Sequence, residues 1–154
     1  MARRELRFKT FDEIREELAR LSQGPLETTG KWSYFQILDH CAMSLENTMK
    51  GLERPMSWWR RNISGPMAAR KIAAVGFLPV GIKGNPQTTA DQRIEGDEKA
   101  ALTRLYKAVE DFEKFEGKLS VHPRMGRLNK KLWMHFHAMH MANHLGYAKL
   151  KDSV

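Results

Sequence analysis

The sequence predicts an all-α protein, a four-helix bundle with a long crossover containing short helices between the second and third helices. Three observations carry that expectation. Four segments repeat apolar residues at the 3.6-residue spacing of an amphipathic helix. Each is bounded by residues that start or stop helices. Nothing between them reads as a sheet. The 154 residues are taken as one domain, 1–154, long enough to enclose a core.

The first helix runs from Thr10 to about Leu21, with Phe11, Ile14, Leu18 and Leu21 on one face. Thr10 and Glu13 stand at capping-box spacing, and Gly24-Pro25 stops the helix. The second begins at Ser33, an N-cap, and continues to Lys50 before Gly51; its stripe is Tyr34, Leu38, Cys41, Leu45 and Met49. About 45 residues follow before the third helix, too many for an ordinary bundle loop. Within them Met56–Asn62 and Pro66–Ala74 read as short helices, and Gly81–Gln92 as irregular. The third helix spans about Asp97 to Phe115, with Leu102, Leu105, Val109 and Phe112 inward and Gly117 closing it. Acidic residues at its start suit the helix dipole. The fourth begins at Asn129 and runs to about Lys149 with a stripe of Trp133, Phe136, His137, His140, His144 and Tyr147 or Ala148. Gly146 should weaken its last turn by roughly 1 kcal/mol relative to Ala.

A formal charge of +8 raises nucleic acid as a partner. Its distribution tempers that reading. Residues 50–93 carry eight basic and two acidic side chains, but 95–116 carry four basic and seven acidic ones. No zinc-finger spacing, aromatic RNP-type strand or helix-turn-helix is present. Nucleic acid is therefore not expected, and a basic surface that draws in an anionic small-molecule substrate fits the charge as well. Trp58, Trp59, Arg60 and Arg61 combine stacking and charge, and are read as a packed helix with its charges solvated. No run approaches the roughly 18 apolar residues of a membrane span, so no membrane is expected. The N-terminal stretch "MARRELRFKTFDE" has no apolar core of a signal, and the single cysteine, Cys41, suits a reducing compartment. A cytoplasmic location is expected, and a homodimer is kept open as a partner, since composition does not set the oligomeric state.

Four of the six histidines fall within ten residues of the segment "LWMHFHAMHMANHLGY". On a helix His140 and His144 differ by about 40° in direction and about 6 Å along the axis. Both rings can then reach one ion at the roughly 2.0–2.1 Å bond length of zinc and similar metals. His137 points near His144 but lies about 10.5 Å earlier along the axis, and His135 faces elsewhere. A third ligand must come from another segment. His40, at the edge of the second helix's apolar stripe beside Ile37, Cys41 and Ser44, can enter the bundle. Three neutral imidazoles leave positions open to water or substrate, a catalytic type of site. The competing reading is a bundle whose histidines only pack, because an H-x-x-x-H pair alone is common. Cys41 is taken as an apolar neighbour, and His122 in "VHPRMG" as an organiser of the loop before the fourth helix.

The segments "WSYFQILDHCAMSLE" and "VHPRMGRLNKKLWMHFHAMHMANHL" together resemble the DinB/YfiT-like metalloenzyme superfamily, closest to a bacterial branch of unknown function. The likeness runs from "RFKTFDEIREELARL" to the fourth helix. It implies a four-helix bundle with one divalent metal ion, zinc or nickel, held by His40, His140 and His144. Characterised relatives in that superfamily include transferases and isomerases that use low-molecular-weight thiols. A thiol cosubstrate, and transferase or hydrolase chemistry, are what the resemblance implies for this chain. The runner-up is a basic nucleic-acid-associated or stress-response binding protein without catalysis. Similar sequences often place a histidine just before the last ligand and an Arg-Gln pair soon after it. Asn143 and Gly146-Tyr147 stand there instead, so the surroundings of the ligands depart from the pattern.

Overall fold

A computed structural model describes residues 3–76 and 95–151. The protein is mostly helical, with α1 (Phe11–Leu21), α2 (Tyr34–Met49), α3 (Gly65–Val75), α4 (Glu98–Lys114) and α5 (Lys130–Leu145). A π-helical turn, Arg60–Ser64, leads into α3. Two short strands, β1 (Leu26–Thr28) and β2 (Ala148–Leu150), pair antiparallel, with Leu26 opposite Leu150 and Thr28 opposite Ala148.

Side chains that satisfy the free N–H groups of the first turn define the helix starts. At α1, Glu13 N donates to Thr10 Oγ1 while Thr10 N donates to Glu13 Oε2 at 2.8 Å. Ser33 and Gln36 make the same reciprocal pair at α2. Asp97 accepts from Lys99 N and Ala100 N at the head of α4, and Asn129 Oδ1 accepts from Leu132 N at 2.9 Å at the head of α5. The apolar stripes of α1, α2, α4 and α5 close over one core. Ile14, Leu18, Leu38, Leu45, Leu105, Phe112, Met141 and Leu145 are buried there. Along its length α2 packs on α4, and α5 lies against α1, α2 and α3. Arg104 of α4 clamps α2, donating to Asp39 Oδ1 at 2.6 Å and to both carboxylate oxygens of Glu46.

Four expectations need correction. The last helix stops at Leu145 rather than near Lys149, and residues 148–150 are a strand. The expectation of no sheet fails for the same reason, since β2 pairs with β1. Three-residue strands are too short to show a period of two, and the partner lies about 120 residues away in sequence. Gly146 does more than weaken a last turn, because a Cβ there would come within 2.6 Å of Arg4 O. The N-terminal segment runs against this corner: Arg4 N donates to Gly146 O, and the Arg4 side chain reaches Glu17, Leu145 O and Ala148 O. The Trp58–Arg61 group is not packed, with Trp58 and Trp59 68% and 61% exposed. Helical structure does begin at Trp58 and continues through α3. The segment Gly81–Gln92 lies outside the described residues. Among those residues no helix is long and apolar enough to cross a membrane.

Candidate metal centre

The two helices that meet at the centre of the core each bring histidine to one point. His40 projects from the buried side of α2 and is 7% exposed. His140 and His144 project from α5 one turn apart, both half-buried. His40 Nε2 lies 3.2 Å from His140 Nε2, and His144 Nε2 lies 3.1 Å from the same atom. One nitrogen from each of the three rings falls within 4.8 Å of the others, close enough to bind a single metal ion. Trp32, just before α2, covers the cluster. Its ring stacks on His144 at 5.1 Å, with 3° between planes, and tilts against His40 at 5.0 Å.

The donor set fits a cation better than it fits itself. A ring nitrogen has one in-plane direction, carrying either a proton or a lone pair. His140 Nε2 faces two other Nε2 atoms, so the three rings cannot each form a good hydrogen bond within the cluster. A cation at the centre accepts all three lone pairs. Two nitrogens each about 2.05 Å from one ion lie about 2.9 Å apart at a right angle and about 3.3 Å apart at the tetrahedral angle. The two separations measured from His140 Nε2 fall between those values.

Burial prepares the rings for this role. Desolvation pushes His40 down to about 4, against the opposing charge of Asp39. His144 is pushed down to about 3, first by burial and then by the charges of His40 and Arg3. His140 is lowered well below the ordinary histidine value by burial, then by its neighbouring histidines. All three are neutral near pH 7, with lone pairs free to ligate. The Nδ1 atoms of His40 and His140 are buried without a hydrogen-bond partner among the described residues. They lack the carboxylate or carbonyl that usually orients a ligating imidazole.

The remaining histidines are held elsewhere. His137 Nε2 meets Thr48 Oγ1 at 3.1 Å, and that hydroxyl donates to Ser44 O, so the imidazole N–H is the donor. Its ring stacks on Trp133 and meets the edge of Phe112. His122 Nδ1 accepts from Arg124 N and Met125 N, and His122 bridges Gly126. It organises the loop before α5, as its setting in the sequence implies. His135 is outside the cluster. The Cys41 thiol is fully buried and pushed up to about 12 by desolvation, which keeps it protonated and apolar in character.

Two neighbours of the cluster carry no signal in the spacing. Trp32 stands eight residues before His40 on a loop. Arg3 donates to Asn143 Oδ1 and sits with its guanidinium carbon 6.0 Å from the Tyr147 ring, bringing positive charge beside His144. Both are set by chain segments that meet only in three dimensions.

These features define a mostly helical protein with a three-histidine cluster on two of its core helices. The chain belongs to the family described as protein of unknown function (DUF1569), whose model matches residues 1–150. Comparison with curated proteins gives no match, and comparison with solved structures gives none.

Proposed function

We propose that this protein is a divalent-metal-binding enzyme of the DinB-like four-helix-bundle type, acting as a thiol-dependent transferase or a hydrolase. His40, His140 and His144 are the ligands, and the ion is zinc or nickel, which neutral imidazoles suit. The observation that carries the reading is the convergence of three Nε2 atoms from two helices, at separations of 3.1 and 3.2 Å.

An ion held by three neutral ligands keeps its charge and, when bound, supplies Lewis acidity that lowers the pKa of a thiol or water. The protein's part is then positional. The imidazoles present lone pairs in a fixed triangle, and Trp32 covers one flank against solvent. Arg3, beside His144, favours an anionic substrate or thiol on its side of the cluster.

The test is elemental analysis of protein purified without a histidine tag, where about one equivalent of zinc or nickel is expected. Replacement of His140 and His144 together by Ala should remove it. Metal retained in full by that double variant rejects the proposal.

A further inference from the structure

The segment from Arg54 to Val75 differs from the rest of the surface in two respects. It carries five cations, Arg54, Arg60, Arg61, Arg70 and Lys71, and no carboxylate. It also holds four of the five large apolar side chains that stand exposed among the described residues: Trp58 at 68%, Trp59 at 61%, Met67 at 53% and Val75 at 67%. The fifth, Leu52, lies just before it. The inward side of α3 is settled on the core through Ala69 and Ile72. On its outward side Met67, Lys71, Ala74 and Val75 fall within about 100° of arc, with Arg70 beside them. The outer stripe is therefore apolar and basic at once.

The segment is held firmly where it starts. Arg127 N donates to Arg61 O at 2.8 Å, and a Cβ on Gly126 would lie 2.3 Å from that same oxygen. The π-helical turn is thus fixed against the loop before α5, and the two tryptophans project from a braced platform rather than a free tail.

Charge selects the occupant. Arg61 is turned toward Glu53 and the backbone of Arg54 and Met56, so a second copy of this chain would set the exposed cations Arg60, Arg70 and Lys71 toward their own copies, with no carboxylate between Arg54 and Val75 to pair them. The partner must be anionic. Nucleic acid bases would use the flat faces of Trp58 and Trp59 but leave Met67, Val75 and Leu52 in water. An interface of acyl chains below phosphate groups takes all of them. Aliphatic and indole side chains enter the boundary layer, while arginine and lysine reach the headgroups.

We propose that residues 54–75 dock the protein on an anionic phospholipid surface, with Leu52 at the edge, as a peripheral and reversible contact. That no helix among the described residues is long and apolar enough to cross a membrane has no bearing on such a contact, because the helix lies on the surface rather than crossing it. The inference is independent of the metal reading, since none of the histidine ligands lies on this segment.

The experiment is sedimentation of the full chain with phosphatidylcholine vesicles, with and without phosphatidylglycerol. Binding is expected only to the phosphatidylglycerol vesicles, falling steeply as salt rises. The variant W58A/W59A should lower the partition coefficient by on the order of tenfold, given the apolar area withdrawn. R70Q/K71Q should lower it roughly thirtyfold, at about 1 kcal/mol per basic residue near the surface. These side chains are exposed, so circular dichroism should show both variants folded. Should W58A/W59A fail to fold, R70Q/K71Q alone carries the test. No pelleting with phosphatidylglycerol vesicles overturns the proposal, as does pelleting unchanged in the folded variants. Tighter binding to a single-stranded oligonucleotide than to vesicles, or a dimer that W58A/W59A dissolves, overturns it in favour of the other occupants.

Discussion

Two groups of histidines meet around α5, His122 and His137 in one and His40, His140 and His144 in the other, and they differ in how their ring nitrogens are partnered. His122 and His137 are pushed down to about 4 and about 3 by burial, much as His40 and His144 are. Depressed basicity therefore does not distinguish them. Their partners do. His137 gives its N–H to Thr48, and His122 receives two backbone N–H groups. In the other group the Nε2 atoms find only one another. An apolar core tolerates an imidazole when its nitrogens are answered by the protein. Where three imidazole nitrogens meet only one another, they lie close enough to bind a cation instead.

The largest effect that would break this comparison is on metal binding. His144→Ala should lower affinity for zinc or nickel by more than about a hundredfold, because a lost ligand costs more than a lost outer partner. His137→Ala should leave affinity within a few fold. Isothermal titration of both variants decides it, and equal losses would mean that the two groups are not distinct. Binding also links to stability. With free metal at about a thousand times its dissociation constant, the wild type should gain about 4 kcal/mol against urea, and the double Ala variant none.

Stability reverses the ranking. His137→Ala removes a ring stacked on Trp133 and leaves Thr48 Oγ1 buried without its donor. A loss of about 2–4 kcal/mol is expected in urea unfolding of the metal-free protein. The cluster histidines should cost less there, since their Nε2 contacts supply no well-formed hydrogen bond in the absence of an ion.

Acid sharpens the same contrast. These rings are neutral in the folded chain down to pH values of about 3 to 4, whereas in the unfolded chain they take protons below about 6.5. The unfolded state then binds more protons, so stability is full above pH 6.5 and falls as pH drops toward the folded values. Each fully buried histidine should contribute a slope of about 1.4 kcal/mol per pH unit in that window. In metal-free protein His137→Gln should lessen the slope by about one such increment, read from urea midpoints at several pH values. An unchanged slope would mean that His137 is not neutral in the fold.

What the sequence made legible follows from how local each relation is. The pair His140 and His144 is set by helix geometry alone, and the caps Thr10, Ser33 and Asn129 by residues three apart. His40 could be placed on the right face of α2, but its meeting with α5 depends on packing across 100 residues. The end of α5 was not legible, because Gly146 answers to Arg4 from the N-terminal segment and Ala148 pairs with Thr28. Trp58 and Trp59 misled for the opposite reason. Large aromatics are ordinarily buried, so composition favours a packed helix where the fold leaves them outside. Trp32 gave no sign at all, since a loop residue has no period to betray what it covers.

The smallest effect expected is at the head of α5. Asn129 Oδ1 satisfies Leu132 N, and Asn129→Ala should destabilise the protein by about 1 kcal/mol. The cap lies about four turns before His144, and the intervening helix is pinned by Trp133, Phe136 and Met141 in the core. Loss of the cap should therefore fray the first turn without moving the cluster, leaving metal affinity unchanged within error while the urea midpoint falls. If affinity instead fell in proportion to stability, the imidazoles would be held by the whole helix rather than by local packing. The contrast between answered and unanswered histidines would then reflect how rigid α5 is, not which partners each ring has.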